Sequence, residues 1–249
     1  MVDTERFARA IVLRDTGKEG DALRELEALA DLASDAREKG ILVLNQANCL
    51  WRLDRMKEAR QRLSEAEKAG ATPFTEFLDA CMCVTEGKSE EAVDKLMALL
   101  KSHVDLKESE HQKVYFDAQD ELGHLLFNLG RYAEAVDPLE GAVTIAEGDH
   151  RKTLCYYLGV CHYTTGKLEA AESELIQSLP ENRHDPWWVH AQYHFGCSYF
   201  QRRAYLDAKQ AFELCDFFMD EADTEMKQNV SRWLAATRHE LGLGGKAVN

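Results

Sequence analysis

Long apolar runs, proline and glycine are all scarce in this chain of 249 residues. No stretch approaches the ~18 consecutive apolar residues that a membrane-spanning helix requires. Only four prolines and fifteen glycines are present, which leaves little material for the turns of a sheet protein. Ala, Leu, Glu and Lys are abundant, and all four favour helix. The composition therefore predicts an all-α protein without a membrane span.

Basic residues are fewer than acidic ones, with 30 Lys and Arg against 44 Asp and Glu. The formal net charge is −14, and no predicted helix carries a stripe of Lys and Arg that could neutralise phosphates. Nucleic acid and anionic membranes are therefore not expected as partners. A protein segment that is basic or neutral fits the charge better than an acidic one. The alternative is that the acidic residues only keep the outer helix faces solvated.

The seven cysteines form no Cys-x-x-Cys pair. Cys81 and Cys83 are two positions apart and would point to different faces of a helix. We expect all seven to be reduced thiols that pack as small apolar groups in a cytoplasmic protein. The polar, acidic segment Met1–Glu5 is not typical of a secretory signal.

Small residues recur in pairs twelve positions apart, and a large apolar residue follows the second member of each pair after four positions. Fixed-period self-similarity of this kind predicts a repeat protein. A small residue on each of two antiparallel helices lets their backbones approach closely. The six sets are Ala10/Ala22/Leu26, Ala47/Ala59/Leu63, Ala80/Ala92/Leu96, Gly123/Ala135/Leu139, Gly159/Ala171/Leu175 and Gly196/Ala208/Phe212.

These positions resemble the tetratricopeptide repeat family. The family pattern is matched best by Leu122, Gly123, Leu126, Gly130, Tyr132 and Ala135, and well by Leu158, Gly159, His162, Gly166, Leu168 and Ala171. Arg203 and Asp54 stand where the turn glycine is usual, and alanine replaces the first-helix glycine in the first three repeats. The resemblance implies a right-handed α-solenoid of antiparallel helical hairpins, a scaffold fold that serves many partners.

The repeats, and the prolines and connecting stretches between them, define the expected organisation of the chain. Pro180 and Pro186 bracket a loop, and the stretch 101–115 lengthens one repeat interval to 43 residues against 33–37 elsewhere. That stretch is either an extended helical hairpin or an exposed loop, and we expect no domain boundary there. The six hairpins are predicted at about 3–37, 40–70, 73–101, 116–148, 151–180 and 187–221, followed by a C-terminal capping helix at 222–242 and a flexible tail at 243–249.

The first helix of each hairpin in such a solenoid lines the concave side. Helix geometry selects the residues that face inward from their offsets to the small first-helix residue. The C-terminal half is rich in aromatic and histidine residues at these offsets, a composition that suits a binding surface. The predicted ligand- or peptide-binding residues are Asn45, Asn48, Asp120, Glu121, His124, Asn128, Tyr156, Tyr157, Tyr163, His190, Tyr193, His194 and Phe200.

Two readings of this surface remain open. The aromatic residues could bind a protein segment, or they could fill the space between neighbouring hairpins. We therefore predict a non-catalytic protein–protein interaction scaffold that binds a peptide in its groove. The alternative is a self-assembling structural subunit that uses its N-terminal repeats, whose inner positions are more apolar than an open groove should be.

The sequence lacks the residue patterns that more specialised functions require. Chaperone-tail adaptors of this family grip an acidic peptide with Lys, Asn and Arg, but Phe7, Ile11, Phe74 and Leu78 occupy the positions that flank Asn45. His190 and His194 have the spacing of a metal-binding pair, yet they lie two repeats, roughly 20 Å, from Asp120 and His124. No phosphate loop or nucleophile motif is present. We expect no catalytic site, metal or cofactor.

Overall fold

The computed structural model describes residues 3–70, 73–102, 112–183, 185–220 and 223–243. Thirteen α-helices and no strand occur in these ranges, which confirms the all-α prediction. The helices are α1 Thr4–Asp15, α2 Glu19–Leu32, α3 Ala36–Arg52, α4 Met56–Lys68, α5 Pro73–Thr85, α6 Ser89–Ser102, α7 Gln112–Asn128, α8 Tyr132–Val143, α9 Gly148–Thr164, α10 Leu168–Ser178, α11 Pro186–Gln201, α12 Tyr205–Phe218 and α13 Thr224–Glu240.

The chain forms two compact units, Met1–Ala118 and Gln119–Asn249, which we call unit 1 and unit 2. Their boundary falls inside α7, just after the stretch 101–115 that lengthens the repeat interval. Most of that stretch (103–111), and most of the predicted tail (244–249), lie outside the described residues. Within each unit the odd-numbered helix of a hairpin packs against its even-numbered partner, and α2, α4, α8 and α10 each contact the helix that follows.

The small residues lie where the two helices of a hairpin meet. The alanines at these positions, such as Ala22 and Ala171, are completely buried, and so is Leu175. A methyl group added to Gly159 would stand 2.8 Å from Leu175 Cγ, closer than atoms pack in real structures. Gly123 and Gly196 meet their partner leucine and phenylalanine equally closely. The predicted close approach of paired helices is confirmed.

A left-handed residue ends the first helix of each hairpin. Gly17, Gly87, Gly130 and Gly166 adopt φ values between 72° and 80° there. Asp54 (φ 59°) and Arg203 (φ 61°) adopt the same backbone conformation at the positions where glycine is replaced. The turn geometry therefore persists although the side chains differ, and at these two positions it is strained.

Aspartates start four of the odd-numbered helices. Asp3, Asp35, Asp185 and Asp223 each accept a hydrogen bond from a backbone N–H of the first turn of α1, α3, α11 and α13. Such caps satisfy donors that have no partner inside the helix, and their charge is favourable at the positive end of the helix dipole.

All seven cysteines are buried as free thiols. Burial raises the pKa of Cys49 to about 11 and that of Cys161 to about 12. Cys49 and Cys161 therefore stay protonated near neutral pH, and all seven buried thiols pack as small apolar groups, as predicted.

Among the described residues, no helix has both the length and the apolar character needed to cross a membrane.

Candidate functional site

Aromatic rings of unit 2 form a connected surface across α7, α9 and α11. Tyr157 of α9 lies at the centre, with ring-centroid distances of 4.7 Å to His124, 4.6 Å to Phe127 and 6.0 Å to Trp187. The rings meet edge to face, the preferred geometry for aromatic pairs. We call the surface formed by His124, Phe127, Tyr156, Tyr157, Trp187 and His190 the aromatic face.

The members of the aromatic face differ in exposure. Tyr156 is buried, and its ring contacts Trp187 at 5.0 Å and His190 at 6.5 Å. Tyr157 and His190 are half-buried, whereas 43% of Trp187 is exposed. Tyr156 therefore supports the neighbouring rings from below, while Tyr157, His190 and Trp187 are open to a ligand.

A carboxylate held by two histidines borders the aromatic face. His124 Nδ1 lies 2.8 Å from Asp120 Oδ1, and His150 Nε2 lies 2.9 Å from Asp120 Oδ2. Burial by itself raises the pKa of Asp120, but the two histidines beside its carboxylate oxygens outweigh burial and leave that pKa below its usual value. Burial by itself lowers the pKa of His124, but the bond to Asp120 outweighs it and raises that pKa. Asp120 is thus kept ionised.

Two further predicted residues lie on α7. Glu121 is half-buried, and its burial raises the pKa of the carboxyl group. Asn128 is exposed at the last position of the helix. Both belong to the edge of unit 2 that carries Asp120.

Tyr163, Tyr193 and Phe200 are engaged by the protein's own side chains. The Tyr163 hydroxyl accepts a hydrogen bond from Gln201 Nε2 at 3.0 Å, and burial raises the pKa of Tyr163 to about 12. Trp233 of the last helix donates its indole N–H to the Tyr193 hydroxyl at 3.1 Å and packs on Phe200 at 5.0 Å. The C-terminal helix therefore contacts this end of the predicted surface.

His194 lies between three tyrosines. Its ring is 5.8 Å from that of Tyr156, 5.9 Å from Tyr163 and 5.3 Å from Tyr193. Its Nδ1 atom is buried and has no hydrogen-bond partner among the described residues. Burial, reinforced by His190, lowers the pKa of His194 to about 4, so the ring is neutral near pH 7. The side chain supports the tyrosines as an uncharged ring.

The two predicted residues of unit 1 lie on α3. The Asn45 amide is used internally: Oδ1 accepts from Arg14 Nη1 at 2.7 Å and Nδ2 donates to the Ile41 carbonyl at 2.8 Å. Asn48 Oδ1 is buried and has no hydrogen-bond partner in the described part of the chain. These two residues belong to unit 1, whereas the other eleven predicted residues belong to unit 2.

The inward-facing offsets include Phe127, four positions after Gly123, but they miss two members of the site, His150 and Trp187. Each stands nine positions before its small first-helix residue, Gly159 and Gly196 respectively. Nine residues are two and a half helical turns, which places them on the same side as the selected offsets of two and five. Extending the inward-facing pattern by one turn towards the N-terminus would have found both.

No group of three His, Cys, Asp or Glu side chains suited to a metal ion occurs within the described ranges. The arrangement instead offers aromatic contact area, a fixed negative charge at Asp120 and ring nitrogens at His190. These features can bind a peptide backbone and its side chains by contact and hydrogen bonding.

Comparisons with known proteins agree with this fold. A tetratricopeptide repeat family model matches residues 116–149, which contain most of α7 and the whole of α8. No curated protein sequence matches the chain.

Solved structures match over most of the chain. YrrB, described as a tetratricopeptide repeat protein with an unusual peptide-binding site, is 18% identical over 78% of this chain and 92% of its own, with a TM-score of 0.64. The C-terminal part of a repeat-containing protein from Cytophaga hutchinsonii is 13% identical over 98% and 96%, with a TM-score of 0.60. MamA from Desulfovibrio magneticus RS-1 is 18% identical over 74% and 97%, with a TM-score of 0.56.

Residues 116–149 of the chain match a tetratricopeptide repeat, and the chain shares its fold with solved repeat proteins. Its fold class is an all-α helical repeat solenoid.

Proposed function

We propose that the chain is a non-catalytic interaction scaffold whose unit 2 binds an extended segment of another protein along the aromatic face. The observation that carries this proposal is the continuous set of rings from His124 through Tyr157 to Trp187, supported from below by buried Tyr156. The similarity in fold to YrrB, a protein described as having a peptide-binding site, supports the same class of function.

The geometry of the rings favours binding energetically. Their positions are fixed by contacts with one another, so little side-chain entropy remains to be lost when a ligand arrives. Trp and Tyr side chains supply large contact area and are enriched where binding energy concentrates. The partly exposed rings of Tyr157, Trp187 and His190 therefore serve as anchors, while Asn128 and Glu121 provide polar contacts at the edge.

We infer that the bound segment is basic or neutral. Asp120 is ionised and half-buried beside the aromatic face, and the chain as a whole carries a formal charge of −14. An acidic segment would meet a like charge in a partly desolvated place, where repulsion is less screened than in water. Seven buried thiols fit a reducing compartment, and we place the protein in the cytoplasm.

The proposal is tested by selecting peptides from a random display library on the full-length protein and measuring their affinity by fluorescence anisotropy. Replacing both rings in a Tyr157→Ala/Trp187→Ala variant should weaken binding by at least about tenfold, because two anchor residues are lost. Circular dichroism checks that the variant folds.

Phe217→Ala is the matched control. Phe217 lies on α12 and is 78% exposed, so its loss removes an aromatic ring of the same unit that is not part of the aromatic face. Its affinity for the peptides should equal that of the wild type. Peptides that bind both variants as tightly as wild type would refute the assignment to the aromatic face.

Self-assembly through unit 1 is the second candidate. Ile41 on α3 and Phe74 on α5 are 43% and 40% exposed, and Leu32 is 74% exposed. Light scattering after size exclusion should then show a mass that rises with concentration in wild type and falls to the monomer in an Ile41→Glu/Leu32→Glu variant. A wild-type monomer at all concentrations removes this candidate.

A further inference from the structure

A cavity of about 190 Å³ opens beside the aromatic face, between the start of α9, the end of α10 and the start of α11. It lies wholly within unit 2. Drug-sized ligands occupy pockets of about 300–1,000 Å³, so this cavity is smaller than a typical small-molecule site. Its size suits one long side chain. The lining residues are Asp149, Lys152, Thr153, Tyr156, Ser178, Pro180, Asp185 and Trp187.

Two aromatic rings form a corner of the cavity. Tyr156 and Trp187 have ring centroids 5.0 Å apart and planes at 75° to each other. A cation placed against the face of an aromatic ring is attracted by its quadrupole, most strongly by that of tryptophan. The partial exposure of Trp187 leaves ring surface accessible to such a group.

Two carboxylates complete the lining. Asp185 is oriented as the N-cap of α11, where its Oδ1 accepts the Trp187 backbone N–H at 2.9 Å. Asp149 is almost fully exposed and lies 3.4 Å from the ammonium group of Lys152, which also lines the cavity. Among the lining residues that the structure describes, Lys152 is the one cationic side chain, and its long, exposed contact with Asp149 is of a kind that contributes little energy.

We propose that this cavity receives a lysine or arginine side chain of the bound protein segment. The proposal rests on the proposed function and assigns the aromatic face a specificity pocket. The aliphatic stem lies along Tyr156 and Trp187, and the charged end reaches Asp185 and Asp149, where it displaces Lys152 from its contact with Asp149. Long basic side chains pack in this way, with the stem on apolar surface and the charge near water.

The probe is the tripeptide acetyl-Ala-Arg-Ala-amide, compared with acetyl-Ala-citrulline-Ala-amide, which has nearly the same shape but no charge. Binding to the full-length protein is followed by the NMR shift of the Trp187 indole N–H, assigned with a Trp187→Phe variant. We expect saturable shifts at millimolar arginine peptide and at least about fivefold weaker binding of the citrulline peptide, because one partly exposed charge interaction is lost.

Variants of the lining residues should change the affinity in opposite directions. Asp185→Asn keeps a good helix cap but removes charge, and should weaken arginine-peptide binding about threefold, as should Asp149→Asn. Lys152→Gln should strengthen it about twofold to threefold, because the internal competitor is removed. Asp216→Asn, at an exposed position of α12, is the matched control and should leave the affinity unchanged.

Equal binding of the arginine and citrulline peptides, or no shift at the Trp187 indole, would overturn the proposal. Weaker binding by Lys152→Gln would overturn it as well. Display-selected peptides distinguish a failure of the cationic-pocket proposal from a failure of the proposed function. Peptides that depend on Tyr157 but show no preference for a basic residue would leave the binding face intact and refute only the cationic pocket.

Discussion

Asp54 and Arg203 adopt a left-handed backbone that glycine provides in the other four first-helix turns. A side chain in this conformation costs roughly 1–2 kcal/mol, and aspartate tolerates it better than arginine. Glycine has a counteracting entropic cost of about 0.5–1 kcal/mol. We therefore expect Arg203→Gly to stabilise the protein by about 0.5 kcal/mol in urea unfolding, with a smaller gain for Asp54→Gly.

Arg203→Ala is the control for this prediction. It removes the same charged side chain but keeps Cβ, so the strain should remain and stability should not increase. An equal gain in the alanine and glycine variants would show that the charge, and not the backbone, is responsible.

His194 gives the stability a defined dependence on pH. Its folded pKa is about 4, whereas an unfolded histidine titrates near 6.5. Between these values the unfolded state binds more protons, so the free energy of unfolding falls as pH falls from 6.5 towards 4. In the wild type, His194 should lower the free energy of unfolding by about 2 kcal/mol between pH 7 and pH 4.5. We expect this contribution to be absent in His194→Leu.

His239→Leu is the comparison for this measurement. The His239 side chain is 85% exposed at the end of α13, so its replacement should leave the pH profile as in wild type. His124 acts in the opposite direction: its raised pKa contributes stability that is present below pH 6.5 and is lost as pH rises through the folded pKa. A wild-type profile in His194→Leu would contradict the assignment of a buried neutral ring.

At the scale of helices, glycine serves two distinct purposes. Gly159 sits where a methyl group would come within 2.8 Å of Leu175 Cγ and 3.2 Å of its backbone nitrogen. Gly20 lies in the first turn of α2 with nothing within 4 Å of the same position. Gly159→Ala should therefore destabilise the protein by about 1–3 kcal/mol through overpacking. Gly20→Ala should stabilise it by up to about 1 kcal/mol.

Chemical unfolding of the two variants compares them directly. The signs should be opposite although the chemical change is the same. If Gly159→Ala were neutral, the packing of α9 against α10 could adjust freely, and close approach would not be the reason for a small residue there.

The last helix stabilises the end of unit 2 mainly through Trp233. Its ring stacks on Phe212 at 5.9 Å, packs on Phe200, and its indole N–H binds Tyr193. We expect Trp233→Ala to cost about 2–4 kcal/mol and Trp233→Phe about 1 kcal/mol, since the latter removes mainly the hydrogen bond. Thermal unfolding of the variants measures these losses. The control is Arg232→Ala, because Arg232 is an exposed residue of the same helix. Losses of equal size in all three variants would contradict a specific role for Trp233.

At the scale of the whole molecule, the repeat pattern predicts the helix packing because each small residue has a single structural role. A position such as Ala22 or Gly159 must allow two helices to meet, and sequence spacing alone locates it. The aromatic residues are harder to assign, because a ring that packs and a ring that binds look the same in sequence. Tyr156 and Tyr157 are adjacent, yet Tyr156 is buried whereas Tyr157 is partly exposed.

The contacts of Tyr193 and Phe200 could not be predicted for a related reason. They depend on Trp233, which lies on a helix that has no partner in the repeat, so the repeat spacing does not define its register. The sites at Trp187 and His150 were within reach of the sequence, since they follow the same helical offsets. An inward-facing pattern that extends one helical turn further towards the N-terminus includes both residues.

The most direct test of the binding face is amide hydrogen exchange of the full-length protein with and without a display-selected peptide. Protection on binding should concentrate on Gly148–Thr164 and Pro186–Gln201, the helices that carry Tyr157 and Trp187. Helices α10 and α12, which lie outside the aromatic face, should change little. Protection concentrated on α10 and α12, or on Ala36–Arg52 of unit 1, would contradict the account and place the interaction elsewhere.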